Sequence, residues 1–315
     1  MGDITTTTGA AEICSTADIW AAFISELDAA DRTKDTYRKA LRQYAGWLDS
    51  HGLDALNVTR EHIVAYKADV AATRSAKTAN CYLTAVRRFY SWTESHRIYP
   101  NVAGGIKGAK TSRHNAREAL TPAQAAALLD VRHAGLEGLR DAAMLELMTM
   151  RGLRTIEVAR ANIEDLQQVG AAHVLYVQGK GYADKGDFVL LSDHTYRAIW
   201  LYLFERGEVA GSEPLFAAHG NRNRGGRMTT RSISRIAKRD LAAAGVTGAK
   251  YTAHSLRHTA VTFALMGGAS VQEAQQMARH ADISTTMIYA HNLDRMEAKA
   301  ERAADSVLAS ARACS

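Results

Sequence analysis

The sequence predicts a mainly α-helical protein with a small β-sheet, folded as two domains. The chain has 315 residues, which is enough for two separate hydrophobic cores. Apolar side chains recur at helical spacing over most of this length, and only three prolines interrupt it. Two short stretches, residues 173–178 and 187–191, instead have the composition and length of β-strands.

The N-terminal third of the chain predicts a bundle of about four helices. The first helix follows a capping box that begins at Ser15, and its apolar positions continue to Leu27. Residues 33–50, 58–72 and 75–96 predict the next three helices. Each segment has one apolar face, so the helices are expected to bury these faces in a shared core.

A change of composition marks the boundary between the two domains. Residues 100–118 are rich in glycine and basic side chains and have almost no apolar content, which is typical of a linker. A new helix then begins at Thr121, with Pro122 in its first turn and Gln124 as the capping-box partner. The predicted organisation is a flexible tail (1–13), a helical domain (14–99), a basic linker (100–118) and a second domain (119–315).

Composition excludes several classes of protein. No apolar run approaches the length of a membrane span, and residues 1–10 lack the basic start and apolar core of a signal peptide. The three cysteines are widely separated, which fits a reducing cytosol and offers no metal-site spacing. The net charge of +6 favours a polyanionic partner such as nucleic acid. We therefore expect a cytoplasmic protein.

Six side chains between residues 154 and 289 suit the cleavage of a phosphodiester without a metal. They are Arg154, Lys180, His254, Arg257, His280 and Tyr289. The two arginines can supply paired donors to phosphate oxygens, and a tyrosine can attack phosphorus once its proton is removed. Either His254 or His280 could remove that proton, and Lys180, in a glycine-flanked turn, could protonate the leaving 5′ oxygen.

The same region allows a second interpretation, a zinc site. His254 and His258 are four residues apart on a predicted helix, and His280 could be a third ligand. Arg257 between the two histidines is a poor neighbour for a cation, and no glutamate follows His254 as the hydrolytic zinc motif requires. Lys185, on the same predicted hairpin, competes with Lys180 for the role of acid.

Three segments resemble the signature boxes of the tyrosine recombinases, the phage integrase family. They are residues 151–157 (RGLRTIE), 254–259 (HSLRHT) and 278–291 (ARHADISTTMIYAH). The turn of Gly179, Lys180 and Gly181 is similar to the β-hairpin lysine of that family, and the resemblance covers about residues 15–305. It implies a helical core-binding (SAM-like) N-terminal domain and a mixed α/β catalytic domain with a C-terminal helix.

The resemblance implies a role for each matched residue. Tyr289 is the implied nucleophile, the other five side chains of the set are its activators, and Glu157 supports the first arginine. Two positions depart from the family pattern, since Arg279 replaces the usual glycine before His280 and Arg151 replaces a common threonine. Arg279 could add a phosphate contact or change how His280 is presented.

The implied activity is site-specific DNA recombination through a 3′-phosphotyrosyl link. The link conserves bond energy, so no cofactor is expected. The implied partners are double-stranded DNA with inverted-repeat core sites, four protomers assembled on two sites, and an accessory DNA-bending or directionality protein, all in the bacterial cytoplasm at the nucleoid. The helix after Asn292 is expected to dock either on its own domain or on a neighbour.

Basic side chains along the chain are the candidate DNA contacts. A charged cluster is by default a solvated surface, but the resemblance favours contact with the DNA backbone. The candidates are Lys34, Arg38, Lys77 and Arg87 in the helical domain, Lys107, Lys110 and Arg113 in the linker, and Arg231, Arg235 and Lys238 on the predicted helix 229–244.

Two other activities share part of this pattern. A type IB topoisomerase would use the same chemistry, but the full third box and the N-terminal bundle favour a recombinase. A catalytically silent DNA-binding protein would not need the intact set of six side chains. Among recombinases, a compact Xer-type dimer resolvase and a mobile-element integrase both fit, and the departures at Arg151 and Arg279 favour the mobile element.

Overall fold

The chain divides into two compact units between residues 114 and 115, each with its own buried hydrophobic cluster. The computed structural model describes residues 16–110, 118–131, 134–179, 184–220 and 223–297, together with residues 302, 305 and 306. The predicted tail (1–13), the capping residue Ser15, Arg113 and Lys180 lie outside the described residues.

The first unit contains the predicted four-helix bundle. Its helices are α1 (Thr16–Glu26), α2 (Asp31–Ser50), α3 (Arg60–Thr73) and α4 (Ala76–Ser95). Aromatic rings form the centre of the core: Tyr44 lies edge-on to Tyr66 with a centroid distance of 4.7 Å. The buried hydroxyl groups of Tyr44 and Tyr90 are 2.9 Å apart, so each phenol has a hydrogen-bond partner inside the bundle.

Residues 101–110 pack against this bundle, although the sequence predicts them as the start of the linker. Ala103 and Ile106 are buried in the first core. The Asn80 side chain accepts a hydrogen bond from the Ala109 amide (2.7 Å) and donates one to the Ala109 carbonyl (2.9 Å). Ala103, Ile106 and the partly buried Val102, together with the Asn80 hydrogen bonds, attach this glycine- and lysine-containing segment to the first unit. The domain boundaries proposed above stay a prediction.

The second unit combines helices with a three-stranded antiparallel sheet of order β1-β2-β3. The strands are β1 (Leu166–Val169), β2 (Ala172–Val177) and β3 (Asp187–Leu191). The helices are α5 (Pro122–Leu129), α6 (Gly135–Met150), α7 (Thr155–Arg160), α8 (Asp193–Arg206), α9 (Thr230–Ala243), α10 (Ala253–Met266), α11 (Val271–Ala278) and α12 (Ile283–Glu297). The fold class predicted from the sequence is therefore confirmed.

Two capping boxes predicted from the sequence are present. Thr121 accepts the Gln124 amide at 3.2 Å, and the Gln124 side chain accepts the Thr121 amide at 3.0 Å. Ser270 and Glu273 make the same reciprocal pair at the start of α11. Strand β1 is absent from the sequence prediction because it is exposed along most of its length and so has no apolar alternation.

Helices α6 and α10 form the centre of the second core. Most of the middle of α6 and the stretch from Ser255 to Val261 of α10 are buried. Helix α10 therefore carries Arg257 and His258 inside the unit, while His254 in its first turn stays exposed. No helix in the described part of the chain is long and apolar enough to cross a membrane.

Candidate active site

Arg257 joins the first and third sequence boxes from inside the second unit. Its Nη1 donates to the Gly152 carbonyl at 2.6 Å, and its Nη2 donates to the Ala278 carbonyl. Only 2% of the residue is exposed. Burial, and then the charge of Arg154, lowers the pKa of Arg257 to about 9, while Glu157 acts in the opposite direction. The guanidinium therefore remains cationic at neutral pH.

Gly152 allows the first box to approach helix α10, which carries Arg257. It has a φ of +64°, in the left-handed region that glycine adopts readily. A Cβ atom there would also lie 3.4 Å from the Cβ atom of Ala260 on α10. Glycine at this position therefore turns the chain from α6 toward α7 directly against the helix that carries Arg257.

Arg154 lies at the start of α7, where Glu157 holds it. Its Nη1 donates to Glu157 Oε1 at 2.7 Å, and its backbone amide donates to Glu157 Oε2 at 2.7 Å. The Arg154 side chain is partly exposed, whereas Glu157 is completely buried. The structure thus places Glu157 in direct contact with Arg154, and the supporting role that the resemblance implies for Glu157 stays a prediction.

Arg279 binds the same carboxylate. Its Nη2 lies 2.7 Å from Glu157 Oε2, and its Nε lies 3.4 Å from Oε1. Burial favours protonation of Glu157, but Arg279 and Arg154 outweigh this effect and lower the pKa of the carboxyl group below its ordinary value. Arg257 is also near, with Nη1 3.9 Å from Glu157 Oε2. Three guanidinium groups therefore surround one buried anion.

Tyr289 is on α12 and is buried against its own unit. It packs with Val261, Ala274 and Ala278, and 8% of it is exposed. Its ring lies 4.9 Å from the His258 ring and 6.5 Å from the His280 ring, centroid to centroid. Burial raises the pKa of Tyr289 to about 12, although the charge of Arg257 works against that rise. The phenol is therefore protonated at neutral pH without a further activating group.

His280 follows the left-handed residue Arg279 and lies two residues beyond the end of α11. Its Nδ1 is 2.8 Å from Thr286 Oγ1 on α12, a partner that the sequence interpretation did not assign. Burial, followed by the charges of Arg257 and Arg154, lowers the pKa of His280 to about 4. The imidazole is therefore neutral at physiological pH.

The second-box histidines lie in different environments. His254 is exposed at the start of α10, and its ring meets the buried His258 ring edge-on at 4.7 Å. The His258 ring thus contacts both the His254 ring and the Tyr289 ring. The four-residue spacing on a helix predicts the contact with His254 but not the contact with Tyr289. Within the described ranges, no three His, Cys, Asp or Glu side chains are grouped as metal ligands.

A cavity of about 660 Å³ opens beside these residues. Arg154, Arg279 and His280 line it together with Gly179 and Asp187 of the β2–β3 hairpin. Gly179, the residue before Lys180 in the sequence, is thus part of the cavity lining. Asp187 is a lining residue that the sequence patterns do not indicate, because it lies in a predicted strand and outside the three boxes.

Lys185, the alternative candidate for the catalytic acid, forms an ion pair with Asp165. Lys185 Nζ lies 2.6 Å and 2.8 Å from the two carboxylate oxygens of the buried Asp165, which immediately precedes β1. This ion pair attaches the hairpin to the 3-10 turn Ile163–Asp165 and gives Lys185 a structural partner. Lys180 remains the lysine proposed for acid catalysis.

The candidate DNA contacts differ in exposure. On α9, Arg231, Arg235 and Lys238 are exposed at helical spacing, so they share one face. In the first unit Arg38, Lys77, Lys107 and Lys110 are exposed, whereas Lys34 and Arg87 are half-buried. Lys34 also donates to the Ser25 carbonyl at 3.2 Å, and Arg38 pairs with Asp35 at 2.6 Å.

Family models match both units. The phage integrase family model matches residues 118–296, and the model of the phage integrase N-terminal SAM-like domain matches residues 19–96. Tyrosine recombinase XerD of Caulobacter vibrioides is 31% identical over 301 residues, covering 88% of this chain and 93% of that protein. XerD of Bifidobacterium longum is 30% identical over 278 residues, covering 84% and 88%.

Solved structures share the fold. A XerH recombinase bound to a palindromic difH substrate superposes with a TM-score of 0.74 at 19% identity, covering 91% of this chain and 85% of that one. A λ integrase fragment bound to a core site gives a TM-score of 0.67 at 15% identity, covering 86% and 96%. The chain belongs to the phage integrase family and is a tyrosine-type site-specific DNA recombinase. These matches do not favour the topoisomerase or the silent DNA-binding protein.

Proposed function

We propose that this recombinase cleaves DNA by attack of the Tyr289 hydroxyl on a backbone phosphate. The observation that supports this assignment is that four elements meet around His280. Arg154 at the start of α7 donates to the Arg279 carbonyl, Arg257 on α10 donates to the Ala278 carbonyl, and the Tyr289 ring on α12 lies 6.5 Å from the His280 ring. Such a cluster, with a net excess of guanidinium groups, suits a negatively charged phosphate.

The proposed step forms the Tyr289 Oη–P bond and breaks the P–O5′ bond. Arg154 and Arg257 stabilise the charge on the non-bridging oxygens. Lys180 gives a proton to the leaving 5′ oxygen, and the phenolic proton passes to His254 or to His280, which is neutral at physiological pH. Rejoining runs the same step backwards, with a 5′ hydroxyl of the partner duplex attacking the phosphotyrosine and Tyr289 leaving. Bond energy is conserved throughout.

The partner is DNA, and the finer assembly is part of the proposal. Four protomers would act on two sites with inverted-repeat cores, assisted by an accessory DNA-bending or directionality protein. The contacts to the DNA backbone would come from Lys34, Arg38, Lys77 and Arg87 of the helical unit, from Lys107, Lys110 and Arg113, and from the α9 face. The XerD relatives support dimer resolution, while Arg151 and Arg279 favour a mobile-element integrase.

Covalent trapping in cells that carry the native genome tests this proposal. Rapid denaturation keeps only DNA that is covalently linked to the protein, and sequencing that DNA reveals the target. We expect recovery with the wild type and with Tyr196→Phe, a control at a half-buried tyrosine of α8 that stacks on His173, and none with Tyr289→Phe.

The recovered sequences also decide the biological role. A single chromosomal site would support dimer resolution, whereas the ends of a mobile element would support integration or excision. Equal recovery with Tyr289→Phe would contradict Tyr289 as the nucleophile. Absence of linked DNA from every variant would contradict the proposed cleavage.

A further inference from the structure

The backbone at Arg279 has a conformation that disfavours an arginine. Its φ is +52°, and among the described residues Arg97, with a φ of +55°, is the other non-glycine residue at positive φ. A side chain at such a position clashes with its own backbone, which is why glycine usually ends a helix in this way. An arginine that persists here needs a compensating interaction.

The Arg279 side chain points into the protein. All three guanidinium nitrogens have partners, because Nη2 and Nε contact Glu157 and Nη1 donates to the Met277 carbonyl at 2.7 Å. Only 6% of the side chain is exposed. The sequence suggested that Arg279 could contact a phosphate. In the structure, however, the Nε and Nη2 atoms that would bind a phosphate already contact the Glu157 carboxylate.

The Arg279 backbone makes a second connection to the same place. Its carbonyl oxygen accepts a hydrogen bond from Arg154 Nη2 at 2.9 Å. Both arginines bind Glu157: Oε1 accepts from Arg154 Nη1, and Oε2 accepts from Arg279 Nη2 and from the Arg154 backbone amide. One residue thus fixes both the carboxylate that holds Arg154 and the Arg154 guanidinium itself.

We propose that Arg279 is a positioning residue for strand cleavage: it anchors Glu157 and thereby fixes Arg154 beside His280, the residue that follows it in the chain. This role rests on the proposed function of Arg154 and His280. A glycine at position 279 could still offer the carbonyl, but it would leave Glu157 Oε2 with only the Arg154 amide and the more distant Arg257. Arg154 would then be free to shift with the carboxylate.

The test is single-turnover cleavage of a nicked duplex that carries the site recovered by covalent trapping, with protein in excess. DNA affinity is measured separately on the uncleaved duplex. We expect Arg279→Met to slow cleavage by about 10- to 100-fold, because small misplacements of a reacting group have effects of that size. The dissociation constant should stay within about twofold, because all three guanidinium nitrogens of Arg279 already have partners within the protein. The cleavage rate of Arg279→Lys should lie between those of the wild type and Arg279→Met, since an ammonium group keeps the charge but cannot bind both carboxylate oxygens as a guanidinium does.

Arg97→Met and Arg97→Gly provide the matched control. Arg97 has nearly the same backbone geometry but an exposed side chain in the first unit, so its variants should cleave at the wild-type rate. Arg279→Gly relieves the backbone and should nevertheless cleave as slowly as Arg279→Met. If Arg279→Gly cleaves like the wild type, the side chain has no positioning role and the proposal is wrong.

Glu157→Gln tests whether Arg279 acts through Glu157. Because Arg279 is proposed to act through Glu157, Arg279→Met should cause a much smaller additional loss of rate in the Glu157→Gln background. Full additivity of the two losses would overturn the proposal, and so would a parallel loss of DNA affinity and rate, which would indicate a direct phosphate contact. A wild-type protein that binds the site without cleaving it would instead refute the proposed function.

Discussion

At the scale of single residues, the catalytic unit depends on one buried carboxylate. Glu157 is fully buried, yet Arg279 and Arg154 keep its pKa below the ordinary value for a glutamate. An ion pair in a protein interior gives little net stability, but removal of one partner leaves an uncompensated charge. Here the remaining charges would be three arginines whose positions define the site.

Glu157→Gln should therefore destabilise the second unit by about 3–5 kcal/mol, the range for breaking a buried ion pair. The substitution keeps the size of the side chain and removes its charge. Urea unfolding at neutral pH measures the loss, and Glu205→Gln on the exposed side of α8 is the matched control, with an expected change within about 0.5 kcal/mol. Equal effects of the two substitutions would contradict the importance assigned to Glu157.

His280 gives the folded state a dependence on pH. Its pKa is lowered from 6.5 to about 4, chiefly by burial and then by Arg257 and Arg154. In acid the unfolded chain takes up a proton that the folded chain refuses, so the contribution of His280 to stability is complete above pH 6.5 and is lost as the pH falls toward 4. His280→Gln should lose less stability than the wild type between neutral pH and pH values near 5. Identical losses in urea unfolding would show that His280 does not titrate in this way.

At the scale of elements, helix α9 has one face buried in the core and an opposite face that is exposed and basic. Helix α9 buries Ile233, Ala237 and Leu241 and exposes Arg231, Arg235 and Lys238 on the other side. The buried stripe fixes the rotation of the helix, so the three cations must share one surface. We propose this surface as a contact to phosphates, which carry the charge but no sequence information.

Neutralising the α9 surface tests that assignment. Each of Arg231→Gln, Arg235→Gln and Lys238→Gln should weaken DNA binding and reduce the slope of log affinity against log salt by about 1, the effect of losing one phosphate contact. Arg197→Gln, which removes an exposed arginine from α8, should leave the slope unchanged. A salt slope that is the same in the α9 variants and in Arg197→Gln would exclude α9 from the DNA contact.

At the scale of the whole molecule, local signals were sufficient for most of the fold and for part of the site. Helical spacing and capping pairs such as Thr121 with Gln124 act over a few residues, so they can be read directly from the chain. The contact of Arg279 with Glu157 joins residues 122 positions apart, and no local pattern predicts it. Likewise, the pairing of Lys185 with Asp165 depends on how the hairpin packs, and β1 has no apolar alternation to reveal it.

The C-terminal segment has two expected positions, on its own unit or on a neighbouring protomer. In the described part of α12, Tyr289 packs on its own unit. If the residues beyond α12 dock on a neighbour, deletion of the chain after Arg302 should abolish assembly of two DNA sites and leave binding of a single site intact. Gel-shift and light-scattering measurements on the DNA complexes distinguish the two, and unchanged assembly would contradict docking on a neighbour.

The chemical identity of the protein–DNA link is the most direct test of the mechanism. The covalent complex isolated from cells is digested with nuclease and trypsin, and the peptide that retains a nucleotide is identified by mass spectrometry. Cleavage after Arg279 and after Arg295 releases a peptide that contains Tyr289 as its single tyrosine. We predict a 3′-linked nucleotide on that tyrosine. A nucleotide on any other residue, or one linked through its 5′ phosphate, would contradict the assignment of Tyr289 and of the proposed strand-cleavage chemistry.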